Sequence, residues 1–167
     1  MKTLMLLRHA KAGFDLTGQA DAERVLTHAG KQDAIKLAYK LKGRNDVVDL
    51  FYCSPAARTR QTLEAITDIV APQGAVMLVG SLYQASEEAV FQLIQTAPNH
   101  LNTLMVIGHN PSMTQLANLL AADLRLDHLP TCGLVVITFE QTHWSQLQPG
   151  SGQVAWFDFP KNDYSIL

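Results

Sequence analysis

The segment TLMLLRHAKA, Thr3 to Ala12, begins with an apolar run and ends in a cluster of basic and titratable side chains. A run that is apolar at successive positions predicts a strand at Thr3–Leu7 that is buried on both faces, as in a parallel sheet covered by helices. Arg8 and His9 follow this strand directly. Because burying a charge is costly, their place at the end of a buried strand indicates that they serve a site there.

Strand and helix signals alternate along the rest of the chain, and the helix starts carry Thr27, Ser54, Ser86 and Pro111. Further strands are predicted at 47–53, 75–79 and 103–107, with a late antiparallel hairpin at one edge formed by 133–139 and 153–159. Helices are predicted at 27–43, 54–70, 86–97 and 111–120. Such alternation predicts an α/β fold of three layers, α/β/α, with a mostly parallel central sheet and an antiparallel edge.

Composition limits the class of protein. The chain has 167 residues, 47% of them apolar and 17% charged, which suits one globular domain spanning 1–167. No apolar stretch approaches the roughly 20 residues of a membrane span, and the short run before Arg8 is not typical of a signal peptide. We therefore expect a cytoplasmic protein that does not insert into a membrane.

The charge and the cysteines argue against other classes. A net charge of −2 provides no basic field for nucleic acid. Two cysteines are too few for a disulfide framework, and the histidines lack the spacing of zinc motifs. We expect no metal and no other cofactor.

Four basic or titratable residues are predicted to share one rim of the sheet. Ligands of α/β sheets bind at the carboxyl ends of the strands, where Arg8, His9 and His109 each follow a predicted strand. Arg58 lies one turn into the helix that Ser54 and Pro55 are expected to open, with Ser54 as its N-cap. Arginine binds phosphate oxygens in a bidentate manner, and a neutral imidazole is a nucleophile. The rim therefore suits a phosphoryl group.

Three motifs in the right order resemble the signatures of the histidine phosphatase superfamily, also called phosphoglycerate mutase-like. They are LRHAKA (7–12), SPAARTRQT (54–62) and VIGHNPS (106–112). The small size and the segment DAERVLTHAG (21–30) resemble the SixA-type phosphohistidine phosphatases within it. The resemblance implies a three-layer phosphoglycerate mutase-like fold and metal-independent phosphatase activity through a phosphohistidine intermediate.

The resemblance also implies roles for individual residues. His9 matches the phosphorylated nucleophile, Arg8 and Arg58 match the phosphate clamps, and His109 matches the second phosphate-contacting histidine. Additional phosphate or substrate contacts are expected from residues near these motifs, namely Ser54, Asn110 and Arg24. Arg24 could equally anchor its own loop.

The proton donor for the leaving group is left open by the sequence. Glu87 and Glu88 are candidates, although acids in the first turn of a helix also complement its dipole without any catalytic role. Asp21 is a third candidate. The imidazole of a phosphoramidate leaves more easily than an alkoxide, so a phosphohistidine substrate would depend less on such an acid.

Several substrates are therefore compatible with the pattern, whereas one rival nucleophile is rejected. We expect a phosphohistidine-bearing protein as substrate, with a sugar phosphate or nucleotide as the alternative substrate. A less favoured alternative function is a non-catalytic phosphate-binding module. The stretch CSPAAR, Cys53 to Arg58, nearly matches a thiolate phosphatase loop. It has one residue too few between Cys53 and Arg58, and Pro55 removes an amide donor.

Overall fold

The computed structural model of the protein describes residues 1–14 and 18–160. Its strands are β1 (Lys2–Arg8), β2 (Leu50–Cys53), β3 (Ala75–Leu78), β4 (Thr103–Gly108), β5 (Leu134–Phe139) and β6 (Gln153–Asp158). Its helices are α1 (His28–Gly43), α2 (Ala57–Val70), α3 (Glu87–Gln95) and α4 (Ser112–Leu120). Each strand and helix predicted from the sequence is present, and β2 begins three residues later than expected.

The strands form one sheet in the order β3-β2-β4-β1-β5-β6. The pairs β3–β2, β2–β4 and β4–β1 are parallel, whereas β5 pairs antiparallel with β1 and with β6. The expected mostly parallel sheet with an antiparallel edge is thereby confirmed. Strand β4 enters between β1 and β2, so the ends of these three strands are neighbours.

Helices cover both faces of the sheet and create two apolar cores. Alternate residues of β1 enter opposite cores: Leu4 and Leu6 pack with residues of α3 and α4, and Met5 and Leu7 pack with residues of α1 and α2. This is why β1 reads as continuously apolar, and it confirms the three-layer arrangement. In the described ranges, no helix is both long and apolar enough to cross a bilayer.

The loop after β1 is tied to the start of α1. Thr27 caps the helix as predicted, because its hydroxyl accepts a hydrogen bond from the amide of Gly30 at 3.0 Å. The amide of Thr27 donates to the carbonyl of Lys11 at 2.9 Å. A Cβ on Gly30 would lie 2.2 Å from that carbonyl oxygen, so only glycine allows this approach.

The start of α2 differs from the prediction. The helix begins at Ala57, and its N-cap is Ala56 rather than Ser54. The Ser54 hydroxyl lies 3.5 Å from the Ala56 amide, too far for an effective cap, and 2.8 Å from Nε2 of His109. The prediction of a Ser54 cap was wrong because a tertiary partner, invisible in the local pattern, competes for the hydroxyl.

Candidate active site

Three adjacent strand ends assemble the site. Ser54 follows β2, His109 follows β4 and His9 follows β1, in the order in which these strands lie side by side. The amide of Ser54 donates to the carbonyl of Ile107, and the amide of His9 donates to that of Gly108. The parallel ladders therefore continue into the site, and the rings of His9 and His109 lie 5.4 Å apart between centroids.

His9 is held as a neutral imidazole with one nitrogen free to react. Its Nδ1 lies 2.7 Å from the carbonyl oxygen of Ala10, which can only accept, so Nδ1 carries the proton and Nε2 has the lone pair. Burial lowers the pKa of His9 to about 3, with further contributions from His109 and the two arginines. Neutral imidazole is the form that a nucleophile requires.

His109 is fixed from both sides. Nδ1 lies 3.4 Å from Nη2 of Arg58, which can only donate, so Nδ1 accepts and Nε2–H donates to the Ser54 hydroxyl at 2.8 Å. Burial and then the charge of Arg58 lower the pKa of His109 to about 4. The edge of the Tyr83 ring packs against this imidazole at 5.6 Å between centroids. His109 is thus a neutral imidazole at pH 7, and its one N–H is donated to Ser54.

Arg58 lies in the first turn of α2 and is 5% exposed. It donates from Nη1 to the carbonyl of Asp21 at 2.9 Å and from Nη2 to the Asp21 carboxylate at 3.1 Å. Its Nε is buried and has no hydrogen-bond partner among the described residues. A buried guanidinium donor without a partner is unusual, and an anion would satisfy it.

Arg8 ends β1 and has a similar unpartnered donor. Nη1 contacts Nε2 of His128 at 2.9 Å and the carbonyl of Leu129 at 3.0 Å. Within the described part of the chain, its buried Nε lacks a partner. Burial and the nearby charge of Arg58 lower the pKa of Arg8. Two guanidinium groups with free donors therefore flank the histidines.

Asp21 is surrounded by donors. Arg24 and Arg58 both bind its carboxylate, as does the hydroxyl of Tyr83. The Tyr83 hydrogen bond, followed by the two arginines, lowers the pKa of Asp21 to about 2. The carboxylate is ionised at neutral pH, so it has no proton to give to a leaving group.

The sequence also named Arg24, Glu87 and Glu88. Arg24 donates to Asp21 at 2.9 Å and to the carbonyl of Gly13 at 2.8 Å, contacts that anchor its loop. Glu87 and Glu88 occupy the first turn of α3, where Ser86 provides the cap. Neither glutamate forms a hydrogen bond or ion pair with the site in the described part of the chain.

The side chain of Asn110 braces the structure behind Arg8. Its amide donates to the carbonyl of Leu129 at 2.9 Å, and its Oδ1 accepts from the Thr114 hydroxyl at 2.8 Å. The sequence suggested a phosphate contact for Asn110. Its carbonyl oxygen is occupied by Thr114, and one of its two amide hydrogens is occupied by Leu129.

Cys53 is unsuited to nucleophilic attack. It is fully buried, and burial raises the pKa of its thiol to about 12, so the thiolate is absent at neutral pH. Over residues 1–14 and 18–160, no group of three or more His, Cys, Asp or Glu side chains is placed to hold a metal ion.

Sequence reasoning missed several residues around this site. Tyr83 lies in the connection between β3 and α3, and His128 and Leu129 lie between α4 and β5. They reach the site only through the packing of these connections, and no local motif distinguishes them. A cleft of about 540 Å³ opens beside Arg8 and His128, and Lys11 and Phe159 contribute to its walls.

The geometry defines a class of protein: an α/β/α domain with paired arginines and histidines at the carboxyl ends of its parallel strands. The chain belongs to the histidine phosphatase superfamily, whose branch 1 family model matches residues 4–76. An uncharacterised protein of Mycobacterium tuberculosis is 32% identical over 164 residues, covering 93% of this chain and all of the relative.

Two solved structures resemble the whole chain. One is a candidate phosphohistidine phosphatase SixA from Nakamurella multipartitia, with a TM-score of 0.82 and 28% identity, covering 95% of this chain and 96% of that one. The other is a candidate phosphohistidine phosphatase SixA from Agrobacterium tumefaciens, with a TM-score of 0.81 and 29% identity, covering 95% and 98%. The phosphoglycerate mutase-like fold expected from the motifs is confirmed.

Proposed function

We propose that this protein is a phosphatase that removes the phosphoryl group from phosphohistidine in a protein, with His9 as its nucleophile. The observation that carries the proposal is the state of His9. Its Nδ1–H is tied to the Ala10 carbonyl, and burial keeps the ring neutral, so Nε2 presents a lone pair beside two arginines. Membership in the histidine phosphatase superfamily supports the same chemistry.

The first step forms one bond and breaks another at phosphorus. Nε2 of His9 attacks a phosphohistidine that is protonated on its other ring nitrogen. The bond from phosphorus to the substrate's imidazole nitrogen breaks, and the bonding pair goes to that nitrogen, so the ring departs as neutral imidazole. Arg8 and Arg58 donate to the phosphoryl oxygens, where charge is concentrated during transfer, through their buried Nε–H groups. His109 contacts the phosphoryl group by exchanging its one N–H, on Nε2, from the Ser54 hydroxyl to a phosphoryl oxygen. In the structure that Nε2–H is donated to the Ser54 hydroxyl at 2.8 Å, which fixes the orientation of the ring.

Water completes the cycle. It attacks phospho-His9, the bond between phosphorus and Nε2 breaks, and inorganic phosphate leaves with the oxygen and both protons of the water, one of which then passes to solvent. His9 returns to the neutral form that Ala10 stabilises. These steps use side chains of the protein and require no metal.

The state of the candidate acids supports phosphohistidine as the substrate. Asp21 is ionised, with a pKa near 2, and Glu87 and Glu88 have no contact with the described site. A phosphomonoester needs a proton donor for its alkoxide, whereas a phosphohistidine protonated on its other ring nitrogen releases neutral imidazole, a far weaker base. We infer that the site favours the phosphoramidate.

The test is a comparison of kcat/KM for a phosphohistidine protein, a sugar phosphate and a nucleotide, measured with the same preparation. We expect the phosphohistidine protein to be the preferred substrate and base-stable, acid-labile phosphate to be trapped on the enzyme. His9→Ala should abolish turnover while retaining part of the phosphate binding. Turnover by His9→Ala would exclude His9 as nucleophile, and preference for a sugar phosphate or nucleotide would exclude the substrate class.

A further inference from the structure

Helix α4 holds the segment 126–129 through two side chains. Asn118 binds the backbone of Leu126 twice, donating to its carbonyl at 2.7 Å and accepting from its amide at 2.8 Å. Thr114 accepts from the amide of Leu129 at 3.0 Å. Residues four apart lie on the same face of a helix, so one face of α4 fixes both ends of the segment.

The Thr114 hydroxyl closes a ring of hydrogen bonds around Leu129. It accepts from the amide of Leu129 and donates to Oδ1 of Asn110, whose own amide donates to the carbonyl of Leu129. Leu129 is fully buried and Thr114 is 7% exposed, so water has little access as a substitute. Both polar backbone groups of Leu129 are therefore held in place by side chains near α4.

This ring ends at Arg8. The carbonyl of Leu129 accepts from Nη1 of Arg8 at 3.0 Å, and His128 accepts from the same nitrogen at 2.9 Å. A guanidinium is planar, so fixing Nη1 by two contacts also fixes the directions of its other donors. One of those, the buried Nε, has no partner in the described ranges.

We propose that Thr114 is a positioning residue for phosphate binding, acting through the Leu129 carbonyl on the guanidinium of Arg8. The proposal deepens the function proposed above, since it rests on Arg8 as a phosphate clamp. It does not require phosphohistidine to be the substrate. Thr114 itself contacts Asn110 and Leu129, and the effect of its hydroxyl reaches the ligand only through Arg8.

The test compares Thr114→Val, which removes the hydroxyl and keeps the shape, with Thr114→Ser, which keeps the hydroxyl. The probe is inorganic phosphate, whose Kd is measured by titration calorimetry. We expect Thr114→Val to weaken phosphate binding about tenfold, because a hydrogen bond that orients a charged group is lost, and Thr114→Ser to stay within about twofold. Equal Kd values for wild type and Thr114→Val would overturn the proposal.

A double-mutant cycle separates positioning from general loosening. In an Arg8→Ala background, Thr114→Val should change the Kd by less than about twofold, because the group it positions is absent. A tenfold loss in that background as well would overturn the proposal. If Thr114→Val does not fold, as judged by near-ultraviolet circular dichroism, Thr114→Ala is used in its place. It removes the same hydroxyl and introduces no branched side chain.

Asn118→Ala is the matched control on the same face of α4. It releases Leu126 and leaves the ring around Leu129 intact, so we expect phosphate affinity within about threefold of wild type despite lower thermal stability. A loss equal to that of Thr114→Val would assign the effect to loosening of 126–129 and overturn the proposal. The proposed function has a separate readout: absence of a phosphoenzyme would defeat it while leaving the dependence of phosphate binding on Thr114 intact.

Discussion

Arg58 and Arg8 each present a buried Nε without a partner in the described part of the chain, yet their surroundings differ. Arg58 is 5% exposed and forms an ion pair with Asp21. Arg8 is half-buried and is held by neutral groups, the His128 ring and the Leu129 carbonyl. The first cation therefore has an anionic partner before any ligand arrives, and the second has none in the described residues.

This difference assigns unequal tasks to the two clamps. A phosphoryl group entering beside Arg58 must share the guanidinium with a carboxylate that is already bound. Beside Arg8 it meets a positive charge that, among residues 1–14 and 18–160, only neutral acceptors contact. We therefore expect Arg8 to provide more of the attraction for phosphate, and Arg58 to provide more of the geometry around His109, which it contacts at 3.4 Å.

The largest expected effect tests this inequality directly. Arg8→Ala should lower kcat/KM about a thousandfold, because charge-assisted hydrogen bonds to the phosphoryl group are lost. Arg58→Ala is best compared in an Asp21→Asn background, which avoids leaving that carboxylate unpaired, and should lose less phosphate affinity than Arg8→Ala. Kd for inorganic phosphate and steady-state kinetics measure both. A greater affinity loss on removing Arg58 would reverse the assignment.

The second prediction concerns the neutral histidines between the two clamps. The folded pKa values, about 3 for His9 and about 4 for His109, lie below the ordinary value of 6.5. Between the folded pKa and 6.5, each of these histidines is protonated more in the unfolded chain than in the folded chain. The free energy of unfolding therefore falls as the pH decreases below 6.5, and these two groups leave it constant above that pH. Each histidine contributes a slope of up to about 1.4 kcal/mol per pH unit.

Urea unfolding at several pH values between 4.5 and 7.5 measures this slope. His9→Asn and His109→Asn should each flatten it, because the replaced side chain no longer titrates. His143, an exposed histidine outside the site, provides the matched control variant, His143→Asn. Equal slopes for wild type and His9→Asn would contradict a neutral, buried His9.

The third prediction removes the anionic partner of Arg58. Asp21→Asn should tighten phosphate binding about fivefold, because phosphate then no longer competes with a carboxylate for the Arg58 guanidinium. The gain is modest because the Asp21 side chain is 43% exposed, so water partly screens its charge. Calorimetric titration with inorganic phosphate measures the change. Asp46→Asn is the control, because Asp46 forms an ion pair with Arg44 elsewhere. Weaker phosphate binding would instead make Asp21 an orienting partner of Arg58.

The smallest effect is expected at Cys53, which precedes Ser54 on the Arg58 side of the site. Because its thiol has a pKa of about 12 and is fully buried, Cys53→Ser should retain kcat/KM within about twofold. Steady-state kinetics and the yield of phosphoenzyme measure this. Loss of activity in Cys53→Ser together with active His9→Ala would restore the thiolate phosphatase interpretation.

Much of this site could be predicted because its central residues directly follow buried strands or open a helix. Apolar continuity identified β1 and β4, and the rule that parallel strands end on one edge brought Arg8, His9 and His109 together. The position of Arg58, one turn into the helix that follows β2, added that residue to the same edge. These inferences need only local patterns and the topology of an α/β sheet.

The assignments that failed or stayed open depend on partners distant in sequence. Ser54 fits an N-cap locally, yet its hydroxyl contacts His109, 55 residues away. Asp21 could be an acid or an ion-pair partner until Arg58 and Tyr83 are seen on the same carboxylate. No pattern in the sequence indicates how such side chains share donors and acceptors.

The sequence alone determined the layer arrangement, the common edge of the sheet and the residues expected there, because hydrophobic periodicity and the topology of an α/β sheet encode them. Only the tertiary structure decided the state of those residues. It made His9 neutral by burial, gave Arg58 a carboxylate and linked Arg8 to Thr114 through Leu129. Burial and hydrogen bonding set protonation and orientation, and both arise from contacts between segments that are far apart in the chain.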